Sequence, residues 1–392
     1  AALVMALLPC AALGESLGFR RVFTAGVALF VGASGLCALS PSLPLLVAAR
    51  FLQGLGGAAV MALGLALLRV VVSQQRLGAA IGWNALAVAL SSAAGPAIGA
   101  AILSATSWPW LFAVNLPLGV AVLLATRALP EAGGTGRRLD LCSVALSAAA
   151  FASLVIGAEL LPARPALAAV LVGGAAVTIV TLVRREMPKE VPLIPLDLLR
   201  AASFRISVIA SVLCFSGVAA SLVALPFYLQ HGLGLNAWMT GLYMTPWPLT
   251  VAIAAPLAGR LADRVSKPRL CFMGGVCLAI GLAALALWPL RAHSLQLVML
   301  TMLCGLGFGF FQVPNNRNML LSVPGERSGA AGGMQGTARL VGQTAGAIIM
   351  TQLFTLTSDA AAPRIGLGIA AVLTLAAGLV SGFHRMGPVP EL

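Results

Sequence analysis

The stretch Gly259-Arg-Leu-Ala-Asp-Arg-Val-Ser-Lys-Pro-Arg269 repeats, position for position, an earlier one, Ala11-Ala-Leu-Gly-Glu-Ser-Leu-Gly-Phe-Arg-Arg21. Each opens on a small residue, has Leu third and a carboxylate fifth (Glu15, Asp263), and closes on arginine (Arg21, Arg269). Each follows one apolar stretch and precedes another. A charged device repeated in this setting reads as the same hinge between two membrane helices, duplicated with the half of the chain that carries it.

Working outward, the 392 residues are 60% hydrophobic and only 9% charged, with a mean hydropathy of +1.00, where soluble domains carry roughly 25% charged residues. The apolar runs are continuous rather than alternating, so they predict transmembrane helices and exclude a β-barrel. Collagen-like and disordered classes fail on the missing triplet period and on the hydrophobicity. Breaking the chain at polar and Pro/Gly punctuation predicts thirteen helices, near 1–14, 22–41, 43–68, 78–105, 111–129, 140–161, 165–183, 205–230, 238–258, 270–290, 294–322, 329–356 and 364–384. The 43 glycines, Gly54, Gly56 and Gly57 among them, suit close helix packing in lipid.

The net charge of +13 is spread over loops rather than gathered on a soluble face, so no nucleic-acid partner is expected. One set of alternate loops holds fifteen Lys or Arg residues, from Arg20 to Arg385, and the other only Arg164, Arg291 and Arg364. The positive set faces the cytoplasm, which puts the C-terminus there. Trp108, Trp110, Trp238 and Trp288 then fall near external helix ends, where amphipathic rings settle. The seven cysteines lie in apolar runs without metal-ligand spacing, and are read as small core residues. No metal or cofactor is expected, and with no Walker loop, triad or dinucleotide-binding strand, no enzyme.

The hinge loops resemble the signature loop of the major facilitator superfamily, Gly-x-Leu-Ala-Asp-Arg-x-Gly-Arg-Lys. The second copy matches well; the first has Ala11 for Gly, Glu15 for Asp and Ser16 for Arg, while Gly18, Arg20 and Arg21 remain. The resemblance implies an all-α membrane protein, with two pseudo-symmetric six-helix bundles. It also implies that Glu15, Arg20, Arg21, Asp263, Arg264 and Arg269 form a charged latch stabilising one of two rocking states. Positive-inside anchoring accounts for the arginines but not for their repeated spacing.

Further stretches resemble one branch of that family. Leu46-Val-Ala-Ala-Arg50-Phe-Leu-Gln53-Gly54-Leu-Gly56 is similar to its fourth-helix motif, which implies a role for Arg50 in proton transfer; a snorkelling Arg50 at the interface is the alternative. Ser91-Ser-Ala-Ala-Gly95-Pro96-Ala-Ile-Gly99 resembles the fifth-helix antiporter motif of exporters, its glycines allowing close helix contact. Trp108-Pro-Trp110-Leu-Phe112-Ala-Val-Asn115-Leu-Pro117-Leu-Gly119 is similar to the sixth-helix entrance of drug exporters, with Pro109 where arginine is usual. Two helices between the halves, Phe227-Tyr228-Leu229-Gln230, and Gly332-Gly333 through Arg339, Gly342 and Gly346 all resemble the fourteen-helix drug:proton antiporter branch.

The expected organisation is therefore an N-terminal bundle over 1–129 lacking its first helix, two intervening helices and a cytoplasmic loop over 130–204, and a C-terminal six-helix bundle over 205–392. Family geometry implies a substrate cavity lined by Gln53, Met61, Asn84, Tyr228, Trp247, Phe311, Gln312, Asn315, Asn316, Arg339 and Gln343. For the Met and Phe residues ordinary packing is the alternative. For the polar run Gln312, Asn315, Asn316, Arg317 and Asn318 the alternatives are a gate, a helix end or a water-lined surface. Glu159 is the acid found within a helix, and its place near an external boundary favours an interfacial carboxylate over a proton carrier.

The expected function is proton-coupled export of small amphipathic molecules by a monomer in the bilayer of a bacterial inner membrane. A facilitator or importer of a polar metabolite is one alternative. A truncated, inactive transporter, motivated by the absent first helix and the altered first hinge, is another.

Overall fold

A computed structural model of the chain describes residues 2–131, 134, 136, 140–160, 164–187, 196–262, 264–287, 295–358 and 361–382. Among them every regular element is helical. In chain order these are α1 (Ala2–Leu17), α2 (Phe19–Ala38), α3 (Leu43–Val71), α4 (Leu77–Ala105), α5 (Trp110–Ala113), α6 (Asn115–Ala125), α7 (Leu141–Leu160) and α8 (Pro165–Glu186). They continue with α9 (Leu196–Arg200), α10 (Ala202–Phe227), α11 (Ala237–Met244), α12 (Pro246–Leu261), α13 (Lys267–Leu287), α14 (Leu295–Leu321), α15 (Ser328–Leu356) and α16 (Ala362–Gly382). Eight of the described stretches are long and apolar enough to cross a bilayer by length and composition.

The predicted segments match these helices to within a few residues, because each apolar run is bounded by Pro, Gly or charge that cannot continue it in lipid. Three segments are interrupted. The run near 111–129 divides at Val114, between α5 and α6. The run near 238–258 divides at Thr245, where Pro246 and Pro248 each lack the N–H that would carry the helical ladder across. The run near 205–230 closes in a π turn, Tyr228–Gly232, just past Pro226. The short helix α9 was not foreseen, since five residues are too few for a periodic signal.

The described chain forms two compact units. The first comprises residues 1–73, 95–200 and 323–337, and the second residues 74–94, 201–322 and 338–392. In the first, α3 packs on α2 and α1, α6 on α2, and α7 on both α8 and α1. In the second, α13 packs on α14 and α16, α10 on α16, and α12 on α14. Its centre is a buried cluster that includes Tyr228, Trp247, Leu278, Leu282 and Phe311.

The duplication is visible in the packing. Gly26 stands fifteen residues into the first hinge copy and Gly274 fifteen into the second. A methyl on Gly56 of α3 would lie 2.7 Å from the Gly26 carbonyl and 2.6 Å from the Phe30 nitrogen. A methyl on Gly274 would lie 2.7 Å from the Gly307 carbonyl and 2.5 Å from the Phe311 nitrogen. In each unit the helix after the hinge thus meets the next helix backbone to backbone, through glycine, where dispersion and weak polar contacts hold helices together in lipid.

Candidate functional site

Gly18 lets the first hinge turn. Its φ of 100° with ψ 135° lies where side-chain-bearing residues are strained, and it reverses the chain between α1 and α2. The turn leaves Glu15 at the end of α1, beside the start of α15. Glu15 Oε1 accepts the backbone N–H of Ala330 at 2.7 Å, and its other oxygen lies 3.9 Å from Arg327 Nη1 with both side chains largely buried. A carboxylate on the exposed N–H groups of a helix start is stabilised by their partial positive charge, by about 0.3–1 kcal/mol and more when partly buried.

The Ser16 carbonyl accepts the N–H of Gly136 at 3.0 Å. Arg20 reaches Glu131 at 3.2 Å at the surface, a pair worth about 0–1 kcal/mol. Arg21 is exposed.

The altered first residue of the hinge has a steric reason. In the second unit, a methyl on Gly259 would strike the carbonyl of Gly78 on α4, so only glycine fits. In the first unit the glycines are on the partner helix: methyls on Gly329 and Gly333 would lie 3.0 Å from the Ala11 carbonyl and 2.7 Å from its Cβ. Ala11 is admitted because α15 gives way instead.

Asp263 lies outside the described residues. Arg264 and Arg269 are exposed, and the neck of this second hinge is held by buried Arg317 of α14, which donates to the Ala262 carbonyl. Arg69 of α3 occupies the position in the first copy that Arg317 occupies in the second, and it donates to the carbonyls of Val323 at 2.8 Å and Pro324 at 3.5 Å. Arg317 thereby caps the C-terminal end of α12, where a cation is favoured, and Arg69 holds the carbonyls of the turn that leads into α15. Their equivalence was readable in the spacing of the repeat and was missed.

Arg50 is exposed, and a short polar chain leads inward from it. Its Nη1 donates to Gln53 Oε1 at 2.6 Å, Gln53 Nε2 donates to Ser34 Oγ at 2.7 Å, and Ser34 donates to the Phe30 carbonyl at 2.7 Å. The guanidinium also sits 5.5 Å above the Phe112 ring. Gln53, expected to face substrate, is buried with both ends of its amide engaged.

The polar run on α14 does not mark a helix end, because α14 continues to Leu321. Asn315 donates to the Ser207 carbonyl at 3.1 Å and to Ser211 Oγ at 2.7 Å, and Asn318 donates to Ser207 Oγ at 2.8 Å. Residues three and four apart share a helix face, so this is a polar seam between α14 and α10. Asn316 is buried and Gln312 half-buried.

Phe311 and Trp247 belong to the buried cluster of the second unit. Tyr228 is buried there too, with its hydroxyl accepting from Arg364 Nη2 at 3.2 Å and the guanidinium 5.4 Å above its ring. Arg339 lies 5.6 Å over Phe215; Gln343 and Met61 are half-buried, and Asn84 is exposed.

At the Gly95-Pro96-Gly99 motif the described residues leave space around both glycines. A methyl on Gly95 would meet nothing within 4 Å, and one on Gly99 only Leu111 Cδ2 at 4.0 Å. The backbone of α4 also runs helical through Pro96.

The Glu159 side chain lies outside what is described. A different acid stands out: buried Glu186, at the end of α8, accepts from Ser143 Oγ. The Ser143 hydroxyl also lies 3.0 Å from Asp140 Oδ2, so its single proton is shared between two carboxylates, and Asp140 is held by Arg185 at 3.1 Å. Asp140 further accepts the N–H of Cys142 at 3.0 Å, the helix-opening role its position predicts. Glu186 read as a loop residue in the sequence because Arg184 and Arg185 precede it.

Long apolar helices, a duplicated charged hinge and polar residues embedded between helices define a multi-pass membrane transporter rather than an enzyme. Residues 1–347 match the family model described as Major Facilitator Superfamily, and the chain belongs to that family. It is 42% identical over 392 residues, 99% of its own length and 86% of the relative's, to the uncharacterized transporter YebQ of Escherichia coli strain K12. It is 29% identical to the riboflavin transporter RibZ of Clostridioides difficile strain 630, covering 87% of this chain and 75% of that one. It is 31% identical to the multidrug efflux pump LfrA of Mycolicibacterium smegmatis, covering 88% and 69%. Among solved structures it resembles the human organic anion transporter MFSD10, with a TM-score of 0.71 at 16% identity over 97% of this chain and 81% of that one. That likeness establishes the two-bundle helical fold of the family.

Proposed function

We propose that this transporter exports small amphipathic molecules from the cytoplasm in exchange for protons, by alternating access. The observation that carries the reading is the exporter-like stretch Ser91–Gly99, and it agrees with the likeness to the multidrug efflux pump LfrA. Because a methyl at Gly95 would meet nothing in this conformation, we assign the motif to a contact made in another state of the cycle.

Arg50 is the proposed proton-coupling residue. Its link through Gln53 to Ser34 makes Gln53 a positioning residue for that guanidinium. Glu159 is kept as the second coupling candidate. The proposed substrate-facing residues are half-buried Met61 in the first unit and, in the second, Asn84, Gln312, Asn316, Arg339 and Gln343, whose polar groups lie outside the apolar cluster. Tyr228, Trp247, Phe311 and Asn315 serve beside them as the packed wall.

Glu15 with Arg327 and the start of α15 forms the proposed latch, together with the remaining hinge residues Arg20, Arg21, Asp263, Arg264 and Arg269. The loop arginines support a cytoplasmic side for the hinges and the C-terminus, in the proposed bacterial inner membrane. The pair α7 and α8 supports the fourteen-helix branch, and a monomer is the proposed working form.

Everted vesicles containing the full chain test the direction. Respiration-driven accumulation of ethidium that collapses with a protonophore supports export, and efflux from the same vesicles contradicts it. A second reading, transport of a polar metabolite, draws support from the likeness to RibZ; riboflavin competing with ethidium for the same flux would favour it.

A further inference from the structure

The start of α2 and the end of α6 enclose a cleft of about 570 Å3 lined by Arg20, Arg21, Thr24, Thr126 and Arg127. On the neighbouring side of α2 a second cleft of about 450 Å3 is almost wholly apolar, lined by residues such as Met5, Leu13, Val22, Leu29, Phe51 and Leu55. Ala25 lines both. We infer that the two clefts together bind one anionic glycerophospholipid, its phosphate among Arg20, Arg21 and Arg127 and an acyl chain in the apolar cleft beyond Ala25.

Three observations point to that occupant. First, the basic cleft has three guanidinium groups among its lining residues and one carboxylate partner, Glu131, which meets Arg20 at 3.2 Å and is 72% exposed. The surplus positive charge fits an anionic headgroup and not a zwitterionic one. Second, guanidinium presents a planar fork of donors that matches phosphate oxygens, and the threonine hydroxyls are already spent on the helix carbonyls of Arg20 and Leu123, at 2.8 and 2.7 Å. Recognition therefore falls to the arginines.

Third, a free anion accounts for the basic cleft alone, whereas an apolar cleft reached past a shared alanine calls for a hydrocarbon tail on the same molecule. The hydrophobic gain of burying methylenes from water does not apply between lipid and protein, so the tail supplies fit and the headgroup supplies selectivity. The site rests on the proposed orientation only for its leaflet, the cytoplasmic one; binding itself depends on neither the orientation nor the transport direction.

Native mass spectrometry of the purified full chain, titrated with phosphatidylglycerol or phosphatidylcholine of identical acyl chains, tests this. One phosphatidylglycerol is expected to be retained in preference to phosphatidylcholine. At about fivefold per arginine near a charged headgroup, the pair Arg21→Gln and Arg127→Gln is expected to weaken that preference by more than about tenfold. Ala25→Trp, which keeps every arginine, is expected to release the lipid by filling the junction.

An unchanged melting temperature and monodisperse elution establish that each variant is folded. Equal binding of the two lipids overturns the inference, as does undiminished phosphatidylglycerol retention in either variant. Inorganic phosphate raising the melting temperature as much as phosphatidylglycerol does also overturns it, since that identifies an anion site with no lipid. None of these readouts involves flux, so a failure of the export reading leaves them unaffected.

Discussion

Glu15 of the first hinge and Ala330 of α15 are joined by a 2.7 Å hydrogen bond from backbone N–H to carboxylate. They stand 315 positions apart in the chain. The bond ties the end of α1 to the start of α15, and Arg327 adds a second charge at 3.9 Å.

Removing the carboxylate removes both interactions. Glu15→Ala is expected to cost about 1.5–3 kcal/mol, the range for hydrogen bonds to charged groups, read as a lower melting temperature in detergent. Glu15→Gln keeps an acceptor for Ala330 and loses the charge, so it should cost about half as much. A Glu15→Gln variant as stable as wild type would show that charge contributes nothing, and equal losses in the two variants would show that the charge carries the whole effect.

The glycine contacts predict opposite outcomes for one chemical change. Gly274→Ala pushes a methyl to within 2.5 Å of the Phe311 nitrogen, and overpacking of this kind costs about 1–3 kcal/mol. Gly95→Ala meets nothing within 4 Å, and in a helix it should be neutral or gain up to about 1 kcal/mol. If Gly95→Ala then abolishes transport while the protein melts no lower, the motif acts in the cycle and not in folding; full transport would remove it from the mechanism.

The seam between α14 and α10 gives a third test. A double-mutant cycle on Asn315→Ala and Ser211→Ala is expected to return a coupling near 0.6 kcal/mol, the usual value for hydrogen bonds between membrane helices. A coupling of zero would mean that the 2.7 Å contact is not held in the working protein.

Arg50→Lys preserves the charge and loses the fork that holds Gln53. Proton-driven accumulation should fall by more than about tenfold, while unfolding stays within about 1 kcal/mol of wild type, as expected for an exposed side chain. A proportionate loss of stability would recast Arg50 as structural.

Most of the helices were legible in the sequence, because an apolar run in lipid has almost no alternative to a helix. The hinge repeat carried further than expected: it also relates Arg69 to Arg317 and Gly26 to Gly274. What the sequence withheld were partners. Nothing local in Arg184-Arg-Glu186 says that Glu186 turns inward to Ser143, and nothing in Asn315 says that α10 has two serine groups waiting for it. Gln53 is expected at the substrate because family geometry implies it; a buried amide needs polar company, and here that company is Ser34 and Arg50. Ala11 looked like decay of the hinge until Gly329 and Gly333 were seen to make room for it.

The most direct test of proton-coupled exchange uses full-length protein in liposomes loaded with a pH-sensitive dye, with no gradient at the start. Ethidium entering on its concentration gradient should drive protons outward, so the lumen turns alkaline, and Arg50→Lys should abolish the signal. Ethidium entry with no change in luminal pH, or with acidification that marks symport, would contradict the account.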